Sequence, residues 1–149
     1  MATARVSLLD VNVLVALFFP DHVHHDIAHD WFADHRNDGW ATCPMTENGF
    51  IRVALQQPSD DVLVRPADVV AHLARFCGDK HHRSWTDVVS LTDTDLFAPQ
   101  FMRGHRQVTD VYLLGLAKKM GGRLATFDRT IPVKAIRGGT QDLLHVIEP

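Results

Sequence analysis

The chain has few cysteines, no excess of positive charge and no long apolar run, and each lack excludes something. Its two cysteines, Cys43 and Cys77, are not spaced as a Cys-x-x-Cys metal pair. They read as reduced, mostly buried thiols of an intracellular protein. The most apolar early stretch, Val11 to Phe19, is broken by Asn12 and falls well short of the roughly 20 residues of a membrane span. Arg5 is followed by apolar residues that stop at Asp10, which is not a secretory signal. A cytoplasmic location without membrane association is expected. Fifteen Lys and Arg face 18 Asp and Glu, a net charge of -3 with His neutral. That balance is unlike a basic nucleic-acid binder. It does not exclude an RNA substrate, because acids assigned to a cation leave the remaining surface near neutral.

Apolar residues make up 46% of the 149 and charged residues 22%, the balance of a folded chain with one core-bearing domain over 1–149. No repeat, linker or low-complexity segment interrupts it. Short apolar strands alternate with helical patterns. Strands are expected at Arg5–Leu9, Trp40–Cys43, His82–Trp85, Arg123–Thr126 and Leu143–Ile147. Helices are expected over Val11–Phe19, capped by Asn12, over His22–Arg36, from Thr46, from Pro66 to the Gly78 stop, and over Thr109–Met120. A helix or two is expected in Val88–Met102, and a polar loop after Leu55. Such alternation predicts an α/β fold with a mainly parallel sheet of four or five strands.

Four acids sit at the edges of these apolar runs: Asp10 in Ser-Leu-Leu-Asp-Val-Asn, Glu47 in Met-Thr-Glu-Asn, Asp110 in Val-Thr-Asp-Val-Tyr and Asp128 in Thr-Phe-Asp-Arg. Asp10 and Asp128 follow strands, and Glu47 and Asp110 open helices. Taken singly, each reads as a cap or a first-turn acid favoured by the helix dipole. Taken together, they fall where a parallel sheet collects functional groups, beyond the carboxyl ends of its strands. Clustered carboxylates raise one another's pKa, and a hard divalent cation, Mg²⁺ or Mn²⁺, is the usual compensation.

The motifs Ser-Leu-Leu-Asp-Val-Asn-Val-Leu, Thr-Glu-Asn-Gly-Phe-Ile-Arg-Val, Thr-Asp-Val-Tyr-Leu-Leu-Gly-Leu-Ala and Leu-Ala-Thr-Phe-Asp occur in this order along nearly the whole chain. The set resembles the PIN-domain nucleases, and more closely the VapC-type toxins of bacterial type II toxin–antitoxin pairs. The resemblance implies a three-layer α/β/α PIN-like fold and a Mg²⁺- or Mn²⁺-dependent endoribonuclease. It also implies a cognate VapB-type antitoxin. Carried over, it makes Asp10, Glu47, Asp110 and Asp128 catalytic, with Asp10 and Asp110 as metal ligands and Asn12 and Thr126 in support.

Other features bear on the same site. Arg106 and Arg129 flank the motifs and are the first choices for phosphate contacts, and the apolar early helices suggest a homodimer face. His22, His25 and His29 are spaced as zinc ligands on a helix but lack the Glu of a zincin pattern. Two other function classes fit the sequence less well. A metal-dependent phosphatase would want an Asp where Asn12 stands. A non-catalytic interaction module of the same fold would be free to lose acids that this chain keeps.

Overall fold

Adjacent leucines set the layering. In strand β1 (Ser7–Leu9) Leu8 enters one apolar cluster and Leu9 another, as the alternation of a strand requires. The computed structural model, which describes residues 5–57 and 65–149, places helices α1 (Val11–Phe18), α2 (His25–His35), α3 (Pro44–Leu55) and α4 (Pro66–Phe76) around the Leu9 cluster. Helix α5 (Val108–Lys119) packs in the Leu8 cluster with Phe97 and Ile136. The sheet between them gives the three-layer α/β/α arrangement.

That sheet holds β1, β2 (Trp40–Thr42), β3 (His82–Ser84), β4 (Arg123–Thr126) and β5 (Leu144–Val146) in the order β3-β2-β1-β4-β5, every pairing parallel. The chain leaves β1 toward β2 and β3, then returns to lay β4 on the opposite edge of β1. The reversal lies between β1 and β4, where open α/β sheets place their ligands.

The expected elements differ from the observed ones in informative ways. Helix α1 is capped by Asp10 rather than Asn12: its carboxylate accepts a 2.7 Å hydrogen bond from the Val11 amide. Helix α3 begins at Pro44 rather than at Thr46, and the missing N–H of Pro44 costs nothing at that position. Val70 on α4 and Met120 beyond α5 are exposed although both are large and apolar. The polar loop expected after Leu55 lies mostly in 58–64, outside the described residues.

Residues 88–98 contain no α-helix. Side chains there satisfy the backbone locally, Ser90 bonding the Thr92 amide and Asp93 the Asp95 amide, which competes with helix formation. The segment is held instead by Phe97, fully buried against α5. Its ring occupies the space a side chain at Gly115 would need: a Cβ there would stand 2.2 Å from the Phe97 ring.

Gly115→Ala is therefore expected to lower stability by about 1–3 kcal/mol despite the better helix propensity of Ala. Phe97→Leu introduced with it recovers part of that loss, measured by denaturant unfolding of both variants.

Candidate active site

Asp10 ends β1 and begins α1, so strand and helix together fix its position. Its backbone N–H donates to the Ala125 carbonyl of β4 at 3.0 Å, and its second carboxylate oxygen accepts from the Thr126 hydroxyl at 2.8 Å. Thr126 ends β4 and is fully buried. The same hydroxyl accepts from the Asn12 amide at 3.3 Å and from the Asp128 backbone N–H at 3.0 Å. One threonine thus ties together Asp10, Asn12 and the turn that carries Asp128. The Asp128 carboxylate accepts from the amide and hydroxyl of Thr130, at 2.8 and 2.6 Å.

Asp110 comes from the other layer, on the first turn of α5. With Asp10, Asp128, Asn12, His22, Val53 and Gln57 it lines one cleft. The three carboxylates are close enough to oppose one another's charge. Burial, then Asp10 and Asp128, push the Asp110 carboxyl up to about 6. The helix start that should favour its anion is outweighed. Asp10 is also raised, first by burial, although Thr126 and the Val11 amide pull it back. The buried Oδ1 of Asn12 has no hydrogen-bond partner among the described residues. Three carboxylates in mutual repulsion beside an orphaned carbonyl oxygen form an all-oxygen donor set, which fits a hard divalent cation.

Glu47, the fourth expected acid, lies apart. Pro44 at the first position and the Thr46–Cys43 cap set the phase of α3, which turns Gly49 against Val11 and Val53 into the aspartate cleft. Glu47 is two residues from Gly49, about 200° around the helix. Its carboxylate accepts from the Thr42 hydroxyl at 2.7 Å, next to Cys77 and His82.

A second cleft shares Asp110 and Asp128 with the first and continues along Arg103, Gly104, His105, Arg106, Gln107 and Thr130. Arg106, one of the two arginines singled out in the sequence, lines this second cleft. Arg129 lines neither cleft and is paired with Glu148 at 3.2 Å. The three-histidine zinc arrangement does not form. His25 and His29 bond the Ala16 and Leu17 carbonyls, closing the end of α1, and His22 accepts from the His24 amide. Sequence reading missed His22, Gln57 and Thr130 as cleft residues. It also missed the grouping of Glu47 with Cys77 and His82, which has no signature because its members are 30 and 5 residues apart. The run Arg103-Gly-His-Arg106 just ahead of Asp110 was the available signal for the second cleft.

The PIN domain family model matches residues 7–136. The chain is 41% identical over 132 residues to Ribonuclease VapC39 of Mycobacterium tuberculosis, covering 89% of this chain and 95% of that protein. It is 40% identical over 141 residues to Ribonuclease VapC44 of the same organism, covering 95% and 99%. A third relative, Ribonuclease VapC38, is 43% identical over 123 residues, 83% of this chain and 85% of its own.

The raised Asp110 carboxyl makes a prediction for the metal-free protein. From pH 4 to 6 the folded state holds a proton that the unfolded state has lost, so stability falls as pH rises through that window and stays lower above it. Asp110→Asn should therefore stabilise the chelator-treated protein above pH 6, by about 1 kcal/mol after allowance for solvent screening, and not near pH 4. Urea unfolding at the two pH values checks this.

Proposed function

We propose, from the premise that the chain belongs to the PIN-domain family and stands among its VapC ribonucleases, that it is a divalent-metal-dependent endoribonuclease and the toxin of a toxin–antitoxin pair. The observation that carries this reading is the convergence of Asp10, Asp110 and Asp128 on one cleft that opens into an arginine-lined one.

Asp10 and Asp110 would hold the ion, Mg²⁺ or Mn²⁺, with the Asn12 oxygen beside them. A bound ion of this class neutralises phosphoryl oxygens and makes water a better nucleophile. The chain's own groups do the rest. The Val11 amide and Thr126 hydroxyl keep the Asp10 carboxylate in one orientation. Asp128, fixed by Thr130, stands where the two clefts meet and orients the attacking water. Arg103 and Arg106 receive the phosphates of the strand on either side of the scissile bond, as backbone contacts that position without reading sequence. Glu47 lies outside this cleft, its carboxylate held by the Thr42 hydroxyl.

The partner reading has its own support. Phe18, Phe19, Phe50, Ala54, Val69 and His72 line an apolar groove between α1, α3 and α4, of a kind suited to an amphipathic helix. A VapB-type antitoxin and a second copy of the chain are the proposed occupants of the α1–α4 face. No helix among the described residues is long and apolar enough to cross a membrane, and the protein is proposed to act in the cytoplasm.

Incubation of antitoxin-free protein with mixed cellular RNA and Mg²⁺ or Mn²⁺ tests the activity. Asp10→Asn and Asp110→Asn should each lower cleavage at least ~100-fold, the scale of losing several kcal/mol of charge stabilisation. Cleavage that survives both chelator and Asp10→Asn would overturn the reading. Thr126→Val, which releases Asp10 and Asn12 but removes no carboxylate, should weaken metal affinity about 10–100-fold. Arg106→Gln should weaken RNA binding and reduce its salt dependence by about one charge.

A further inference from the structure

We propose that Glu47, Cys77 and His82 form a second cation site, separate from the aspartate cleft and suited to a thiophilic divalent ion of the zinc class. One ligand atom from each residue lies within 4.8 Å of the other two. The three come from the first turn of α3, the end of α4 and the start of β3. A single hydroxyl, Thr42, sits among them. It donates to Glu47 Oε2 at 2.7 Å, bonds His82 Nε2 at 2.8 Å and lies 4.0 Å from Cys77 Sγ. An ion in this pocket takes over the bridging that the hydroxyl performs.

The spacing suits the chemistry. Tetrahedral zinc bonds of about 2.0–2.3 Å put ligand atoms about 3.3–3.8 Å apart, so side-chain rotation of about 1 Å at the widest separation closes the cluster without backbone movement. Its scaffold is stiff. His82 pairs with Trp40 in the sheet register, their rings 4.6 Å apart, and the Trp40 indole is anchored on Asp79 at 2.9 Å. Asp79 is in turn paired with Arg36 at 3.0 Å, which ties the loop between Cys77 and His82 to the end of α2. The donor set of one sulfur, one nitrogen and one oxygen selects against Mg²⁺, whereas the all-oxygen aspartate cleft selects for it. Ligation releases the Cys77 thiol proton to solvent, and His82 offers Nε2 with its own proton on Nδ1. Three protein ligands leave a fourth position for water or a small anion.

Cobalt titration of the reduced, metal-stripped full chain tests the site. A thiolate-to-cobalt charge-transfer band should grow to one equivalent and be displaced by Zn²⁺ but not by excess Mg²⁺. Cys43→Ser and Asp10→Asn should keep the band. Cys77→Ser should lose it, and His82→Asn and Glu47→Gln should each bind at least ~10-fold more weakly. Circular dichroism of each variant confirms folding. Should Cys77→Ser not fold, Zn²⁺ protection of the Cys77 thiol against a thiol reagent in the Cys43→Ser background replaces it, with no protection overturning the site. The proposal also fails if the wild type shows no band, if Cys77→Ser retains it, or if Asp10→Asn abolishes it.

Discussion

Three aspartates that repel one another line one cleft, and much of the architecture follows from how that repulsion is borne. Asp10 is held by a helix-capping amide and by Thr126, and Asp128 by the hydroxyl and amide of Thr130. No hydrogen bond among the described residues offsets burial at Asp110, whose carboxyl is raised to about 6. Its strain is tolerable because α5 is gripped elsewhere, buried without a break from Val111 to Ala117. Such an arrangement costs stability wherever the carboxylates stand uncompensated, the exchange expected where folding and function compete.

The parallel sheet makes this gathering possible. β1 and β4 are neighbours in space but more than a hundred residues apart in sequence, and the chain reverses its direction of travel between them. Asp10 and Thr126 are therefore brought to one edge by sheet order alone. Asp110 is delivered from the opposite layer, so the cleft exists only where both layers are assembled.

The sequence carried much of this and hid the rest for definable reasons. Strand β4 was legible to the residue, because Arg123-Leu-Ala-Thr is bracketed by Gly122 and Asp128. Helix α5 was legible because its apolar pattern is long. Three of the four acids could be placed from their position after strands or at a helix start. Glu47 could not, since its direction depends on the phase of α3, set by Pro44 and a threonine cap, and a one-residue change of phase moves a side chain by about 100°. The histidines of α2, spaced for a metal but lacking the zincin Glu, have packing roles instead. Their partners are carbonyls at the end of α1, a contact between helices that periodicity does not report. The α-helix expected in Val88–Met102 is absent for another reason: the order there comes from scattered apolar anchors, side-chain turns and bonds to Arg137, not from a repeating pattern.

That last region has a consequence for how such a chain can vary. Phe97 has to arrive at a fixed point, against Gly115, and Val89, Leu91 and Leu96 rest on the same apolar cluster. The Thr94 and Leu96 carbonyls are also tied to Arg137. Change at position 115 is confined by the ring, and change at 97 by the missing side chain. Latitude in length is thus left only to the short turns between these anchors.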